Sequence, residues 1–241
     1  MKNLRRLALL AMIVFCAIPT AQAKSRPKAR HKAKPKSIHC SQGTAYRGCP
    51  ACGLTSNPKY RALNVLKNRG TAVTNPEKIT VQEIRDPANN TGKFTPAKQV
   101  WVTGFVATVD PGGDQETCNC KRKNLRDVHI NVVADPSEAS DKTKYVVVEF
   151  TPRWEKKFNF DDSDYEAMRQ AVKDQIGGKW VKFEGWMMYD FIHQNESKST
   201  AAPGTPVCND NDPHQKKPCI WRGTPWEVHP VTAFTVVSGP S

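Results

Sequence analysis

The feature that most constrains this chain is the position of one amphipathic helix. Within "FDDSDYEAMRQAVKDQIGG", Tyr165, Met168, Val172 and Ile176 recur at helical spacing, and Gly177-Gly178 ends the run. Ser163-Asp-Tyr-Glu166 reads as a capping box at its start. Three β-rich runs precede this helix and two follow it. The first is "KQVWVTGFVATV" (98–109), where Gly104 offers a place for a bulge or tight bend. "DVHINVV" (127–133) alternates, with Val128, Ile130 and Val132 on one face and Asp127, His129 and Asn131 on the other. "KYVVVEF" (144–150) is the third, and "KWVKFEGWMMYD" (179–190), with Gly185 as a bulge position, is the fourth. "PWEVHPVTAFTVV" (225–237) is the fifth. Alternation alone would allow many small sheets. The placed helix selects β-β-β-α-β-β, the chain order of an OB-fold, a small partly open Greek-key barrel. The expected architecture is mostly β: an OB-like five-stranded barrel over 97–241, preceded by a short helical, cysteine-containing module and connector over 40–96.

Nothing before residue 40 fits such a barrel. Lys2, Arg5 and Arg6 precede an apolar run over 7–18 that is too short to span a bilayer, and Ala21-Gln22-Ala23 matches a cleavage signature. Residues 1–23 therefore read as a secretory signal peptide, which predicts an exported mature chain, periplasmic or extracellular. No later segment is apolar enough to span a membrane. Residues 24–39 read as a disordered basic arm carrying Lys24, Arg26, Lys28, Arg30, Lys32, Lys34 and Lys36. The formal net charge of the whole sequence is +13. Setting aside the signal and the arm leaves 26 basic against 23 acidic residues, so the excess belongs mostly to the arm. Such an arm either spaces the domain from the cleavage site or binds a polyanion: nucleic acid, anionic lipid headgroups or an acidic cell-surface polymer.

Eight cysteines become seven once Cys16 leaves with the signal. In an exported chain disulfides are expected, and an odd count leaves one thiol over. Cys208 and Cys219 flank the polar loop "CNDNDPHQKKPC" and form the pair most readily proposed. Cys49-Pro-Ala-Cys52 also allows a redox centre or, with Cys118 and Cys120, a zinc site, although the strand-then-helix setting of a redox motif is missing. In the same module, "NPKYRALNVLKNRG" reads as a short helix. Leu63 and Leu66 face inward, while Asn64, Lys67, Asn68 and Arg69 face solvent or serve as caps. One short strand is expected at "KITVQEI".

The chemistry-bearing residues recur as acid–histidine pairs. Asp127-x-His129 lies on the second strand, Asp190-x-x-His193 ends the fourth, and Glu227-x-His229 lies on the fifth. Residues two apart on a strand share a face, so Asp127 neighbours His129 and Glu227 neighbours His229. Neutral imidazole with carboxylate suits zinc or a similar divalent cation, with His129, His193 and His229 as candidate ligands. One such pair could also move protons in hydrolysis. The competing reading is hydrogen-bonded bracing between strands. Among the tryptophans, Trp101, Trp180 and Trp226 read as core, and Trp154 and Trp221, near basic residues, either as core packing and loop anchors or as stacking or cation–π candidates.

The segments "CGL" (52–54), "LNVLKNR" (63–69), "DVHI", "GWMMYDFIH" and "WEVHP" together resemble a group of exported bacterial proteins of uncharacterised function with an OB-like domain. The resemblance spans most of the chain after the arm and implies no activity. Three functions are carried forward: an exported OB-like module binding a polyanionic or oligomeric ligand; a metal-dependent hydrolase of nuclease or phosphodiesterase type using the Asp/His/Glu cluster; and a structural protein of the envelope.

Overall fold

The computed structural model describes residue 40 and residues 43–161, 163–212 and 214–240. The expected signal peptide and basic arm lie outside them. The described residues belong to one compact unit, so module and barrel are continuous.

The strands are β1 (Glu77–Thr80), β2 (Gln99–Pro111), β3 (Val128–Val133), β4 (Val146–Phe150), β5 (Trp180–Tyr189) and β6 (Trp226–Val237). The helices are α1 (Pro58–Lys67), α2 (Val81–Arg85), α3 (Pro152–Glu155) and α4 (Tyr165–Ile176). Five strands close a barrel in the order β2-β3-β4-β6-β5, with β5 returning to β2. Every barrel pairing is antiparallel except β4–β6. This is the OB-like arrangement expected from the helix position. Of the strand expected at "KITVQEI" only the first three residues are extended, in β1, and the rest turns into α2. Strand β1 runs parallel to β2 and shares one of its edges with β3.

Alternation builds the core. Val100, Val102 and Val106 of β2, Val128, Ile130 and Val132 of β3, Val148 and Phe150 of β4, Val181, Phe183 and Met187 of β5, and Trp226 and Val228 of β6 all point inward. Helix α4 adds Tyr165, Met168, Val172 and Ile176, the stripe its spacing announces. Its cap differs from expectation. Asp164, not Ser163, accepts from the Glu166 and Ala167 backbone N–H groups at 3.0 and 3.2 Å. An ionised carboxylate at a helix N-terminus is favoured both as acceptor and by the helix dipole.

Of the two strand glycines, one behaves as expected and one does not. The register of β6 against β5 shifts on either side of Gly185, as a bulge there requires. In β2 the shift falls between Val106 and Thr108, not at Gly104. Gly104 instead lets the Val132 side chain pass at a distance that leaves no room for a Cβ.

Candidate functional site

Opposite the barrel core, β3, β4 and β6 carry His129, Glu149, Glu227 and His229, and the register sets them in a row. His129 of β3 faces Glu149 of β4. The parallel pairing of Val147 with Glu227 continues to place His229 of β6 beside Glu149. His129 Nε2 lies 3.3 Å from Glu149 Oε1, and His229 Nδ1 lies 2.9 Å from Glu149 Oε2 and 3.3 Å from Glu227 Oε2. Asp127, just before β3, brings its Oδ2 to 3.9 Å from His229 Nε2. Asp127, Glu149, Glu227 and His229 are all buried.

A charged row on an outer sheet face can be buried only under a roof. The first part of the roof is α1, started by Asn57, whose side chain accepts from Lys59 N at 3.0 Å. Its inner face is Leu63, as expected, together with Asn64 and Lys67, which were expected toward solvent or as caps. Asn64 Nδ2 donates to Cys52 O and Thr117 Oγ1, both at 3.0 Å. Asn68 Nδ2 donates to Ala51 O and Cys118 O. These asparagines are therefore the ties between α1 and two loops, which no apolar pattern could announce. Gly53, at φ +65°, lies so close to the Thr117 carbonyl that a Cβ would sit 2.1 Å from its oxygen. Only glycine fits both the backbone angle and the contact.

Disulfides fix the loops. Cys40 pairs with Cys52, Cys49 with Cys120, and Cys208 with Cys219 as expected. Cys49 and Cys52 thus have different partners and form no C-x-x-C redox pair, and Cys120 is taken from any thiolate set. Cys118 is the free, buried thiol. Its Sγ lies 3.2 Å from Glu116 Oε2 and 3.9 Å from Asp127 Oδ2.

The roof also brings charges. Lys67 Nζ lies 3.0 Å from Asp190 and 3.5 Å from Glu116. The fully buried Arg222 pairs with Glu227 and donates from Nε to Thr224 O at 2.8 Å. A cavity of about 400 Å³ opens over this end, lined by Lys67, Glu116, Cys118, His129 and His193 among others.

The environment shifts several ionisations. Burial, then the Glu116 carboxylate, pushes Asp127 up to about 8. Burial would lower His229, but the Glu149, Glu227 and Asp127 carboxylates together outweigh it and carry the imidazole up to about 10. Burial would likewise raise Glu149, yet His129, His229 and Lys67 hold it well below the usual carboxylate range. Lys67, which burial would lower, is held well above its ordinary value by Asp190, Glu116 and Glu149. Burial pushes the Cys118 thiol well up, reinforced by Glu116 and Asp127.

Of the six candidate residues, Asp127, His129, Glu227 and His229 meet around Glu149. Asp190 joins through Lys67. His193 does not meet the other two histidines. It sits in the 3-10 turn Phe191–Glu196, where its Nδ1 lies 2.8 Å from Glu196, and Glu196 also accepts from Trp221 Nε1. Among the described residues, two sets have ligand atoms all within 4.8 Å of one another: Asp127, Glu149 and His229, and Glu116, Cys118 and Asp127. The expected trio of His129, His193 and His229 is not among them.

The sequence does not single out Glu149, Lys67, Glu116 or Arg222 as site residues, and it offers Cys118 only as a zinc ligand alongside the C-x-x-C cysteines. Glu149 carried a signal, being the sole charge in an apolar strand. The tryptophans need correction too. Trp226 is core as expected, and Trp154, buried and donating to Arg69 O, lies under the Lys157 ammonium at 3.7 Å, but Trp101 and Trp180, expected in the core, are half-buried on the outer face. Trp221 stacks parallel to His129, with ring centroids 6.4 Å apart.

No helix among the described residues is long and apolar enough to cross a membrane. No protein family, curated protein or solved structure matches this chain.

Proposed function

We propose that this protein is a divalent-metal-dependent hydrolase whose reaction centre lies under the roof of the barrel. One observation carries the reading. Asp127, Glu149 and His229 offer ligand atoms within 4.8 Å of one another, and Asp127 Oδ1 and His229 Nε2 are buried without a hydrogen-bond partner. An unpartnered buried polar atom costs about 1–3 kcal/mol, more when charged, so such atoms call for a ligand. The donor set suits the ion: one imidazole and carboxylates fit zinc or a similar divalent cation. The charges agree. Lys67 and Arg222 each have a carboxylate of their own in Asp190 and Glu227. Asp127 and Glu149 are left chiefly with histidines as counter-charges, while Glu116 shares Lys67 with Asp190.

A bound divalent ion supplies a polarised water that ionises near neutral pH. The chain's own residues would do the rest. Glu227 and Glu149 face His229 Nδ1, so a proton there leaves Nε2 free to act as a ligand atom. Glu116, held by the Gly113 N–H at 2.9 Å, and His129, stacked on Trp221, line the cavity and can accept or return a proton. Lys67, fixed by Asp190, presents a positive charge to a developing anion at the same wall.

The test uses protein stripped with a chelator, then titrated calorimetrically with Zn²⁺, Mn²⁺ or Mg²⁺ and assayed on a chromogenic phosphodiester and an ester. The expected result is stoichiometric binding that Asp127→Asn and His229→Gln abolish, and turnover that Glu116→Gln lowers by about 10²-fold or more. Failure of every ion to bind would leave bracing between strands as the role of the row.

A second reading rests on a different face. On the outer side of β2 and β5, Trp101 lies beneath Lys78 and Lys182 at 5.2 and 4.8 Å, and Trp186 beneath Arg69 at 4.8 Å. Half-buried rings interleaved with cations suit a polyanionic or oligomeric ligand, with residues 24–36 adding charge. Quenching of tryptophan fluorescence by an oligonucleotide, steeply weakened by salt and by Trp101→Ala, would support it. Quenching unchanged by Trp101→Ala would count against this face.

A further inference from the structure

Cys118 is the one free thiol among the described cysteines, in a chain whose other described cysteines are all joined. Its surroundings hold it in place. The Cys49–Cys120 disulfide anchors the backbone two residues on, and Asn68 Nδ2 donates to the Cys118 carbonyl at 2.9 Å. The side chain is buried and so is closed to pairing with another chain. Its sulfur faces two carboxylates, Glu116 and Asp127, rather than apolar neighbours. Asp127 belongs to both sets of close ligand atoms, and one of its oxygens has no hydrogen-bond partner.

We propose that Glu116, Cys118 and Asp127 form a second cation position, joined to the first through the Asp127 carboxylate, whose thiolate selects zinc-class over magnesium- or calcium-class ions. The proposal rests on the metal reading above and deepens it. In two-metal sites the ions stand about 3.5–4 Å apart, close enough to share one carboxylate, and Asp127 brings Oδ2 toward both His229 Nε2 and Cys118 Sγ while its Oδ1 is unpartnered. Sulfur is a soft donor suited to zinc and cobalt, whereas magnesium and calcium take oxygen. The charges also balance. Two divalent ions would meet the carboxylates of Glu116, Asp127 and Glu149 and one thiolate, the thiol proton leaving to solvent as the metal enters. Glu116 and Cys118 line the cavity, so the second position is the one a substrate would reach.

The test is metal stoichiometry and cobalt spectroscopy on the purified protein. The proposal expects two equivalents of Co²⁺ or Zn²⁺ per chain and a sulfur-to-cobalt charge-transfer band in the near ultraviolet. Cys118→Ser should keep one equivalent and lose that band. Zinc-edge X-ray absorption on the unaltered protein makes the result independent of how the variant folds. It should show a sulfur neighbour at about 2.3 Å. Bound metal without any sulfur neighbour would overturn this proposal and leave the hydrolase reading standing. No stoichiometric metal would overturn both.

Discussion

Glu149 is the one charge in β4, between Val148 and Phe150. It is the pivot of the row, because the register sets a histidine on each side of it. The criterion that made Glu227 and His229 conspicuous, charge inside an apolar strand, applies equally to Glu149. It was missed because a lone acid has no partner in its own strand, and a partner on another strand is invisible until register is known. Lys67 and Asp190 show the same limit, being 123 positions apart yet only 3.0 Å from each other. Their pairing has a pH signature. Burial alone would raise the Asp190 carboxyl, but the Lys67 ammonium and then His193 reverse this and hold it at about 2. A folded value below the unfolded one, about 3.9, stabilises the protein above that range, and the stabilisation disappears as pH falls toward 2. The buried Lys67 mirrors this, its contribution being complete below its ordinary value and lost only as pH rises well above it. Urea unfolding of the unaltered protein and of Asp190→Asn should therefore differ most near pH 5. The gap should shrink by about 2 kcal/mol by pH 2. A gap independent of pH would mean that Asp190 acts by shape and not by charge.

At the level of elements, periodic pattern was legible and polar contact was not. Every barrel strand and α4 could be read from the sequence because each buries an alternating or helical apolar face. The β-β-β-α-β-β order then left little choice of topology. Helix α1 could be read as a helix with Leu63 inward, but which polar residues it buries could not. It buries Asn64 and Lys67 because its neighbour is a set of loop carbonyls and a carboxylate, not a core. The start of α4 shows how fine such distinctions are. The capping-box spacing points to Ser163, but its neighbour Asp164 is an equally good cap residue. The structure gives the role to Asp164, while the Ser163 N–H donates to Asp161 Oδ1 at 2.9 Å. Asp164→Ala should cost about 1 kcal/mol in chemical denaturation, and Ser163→Ala a few tenths. Equal losses would show that the cap is shared.

For the whole molecule, the question is how far the barrel and its roof are one object. The barrel's apolar interior is complete without the roof, since its core residues come from the strands, α2, α4 and the segments beside them. The charged row is not complete without it. Its burial needs α1, the 112–126 loop and the segment bearing Arg222. The link between α1's module and the 112–126 loop is partly covalent, through Cys49–Cys120, which closes a sequence separation of 71 residues. Removing it with Cys49→Ser and Cys120→Ser together should lower stability by about 2–4 kcal/mol. The loss should be uneven. Amide exchange should quicken across residues 49–70 and 112–126, while β3, β4 and β6 keep most of their protection, because strand hydrogen bonds and the barrel core remain. Cation binding should weaken in parallel, since Glu116 and Cys118 ride on the loosened loop while Glu149 and His229 stay on strands. If strand and roof protection fell together, the roof would be part of the cooperative core, and the row would be a brace holding the fold closed. If only the roof loosened and binding fell with it, the fold would consist of a self-sufficient barrel carrying a lid whose role is to complete the charged site.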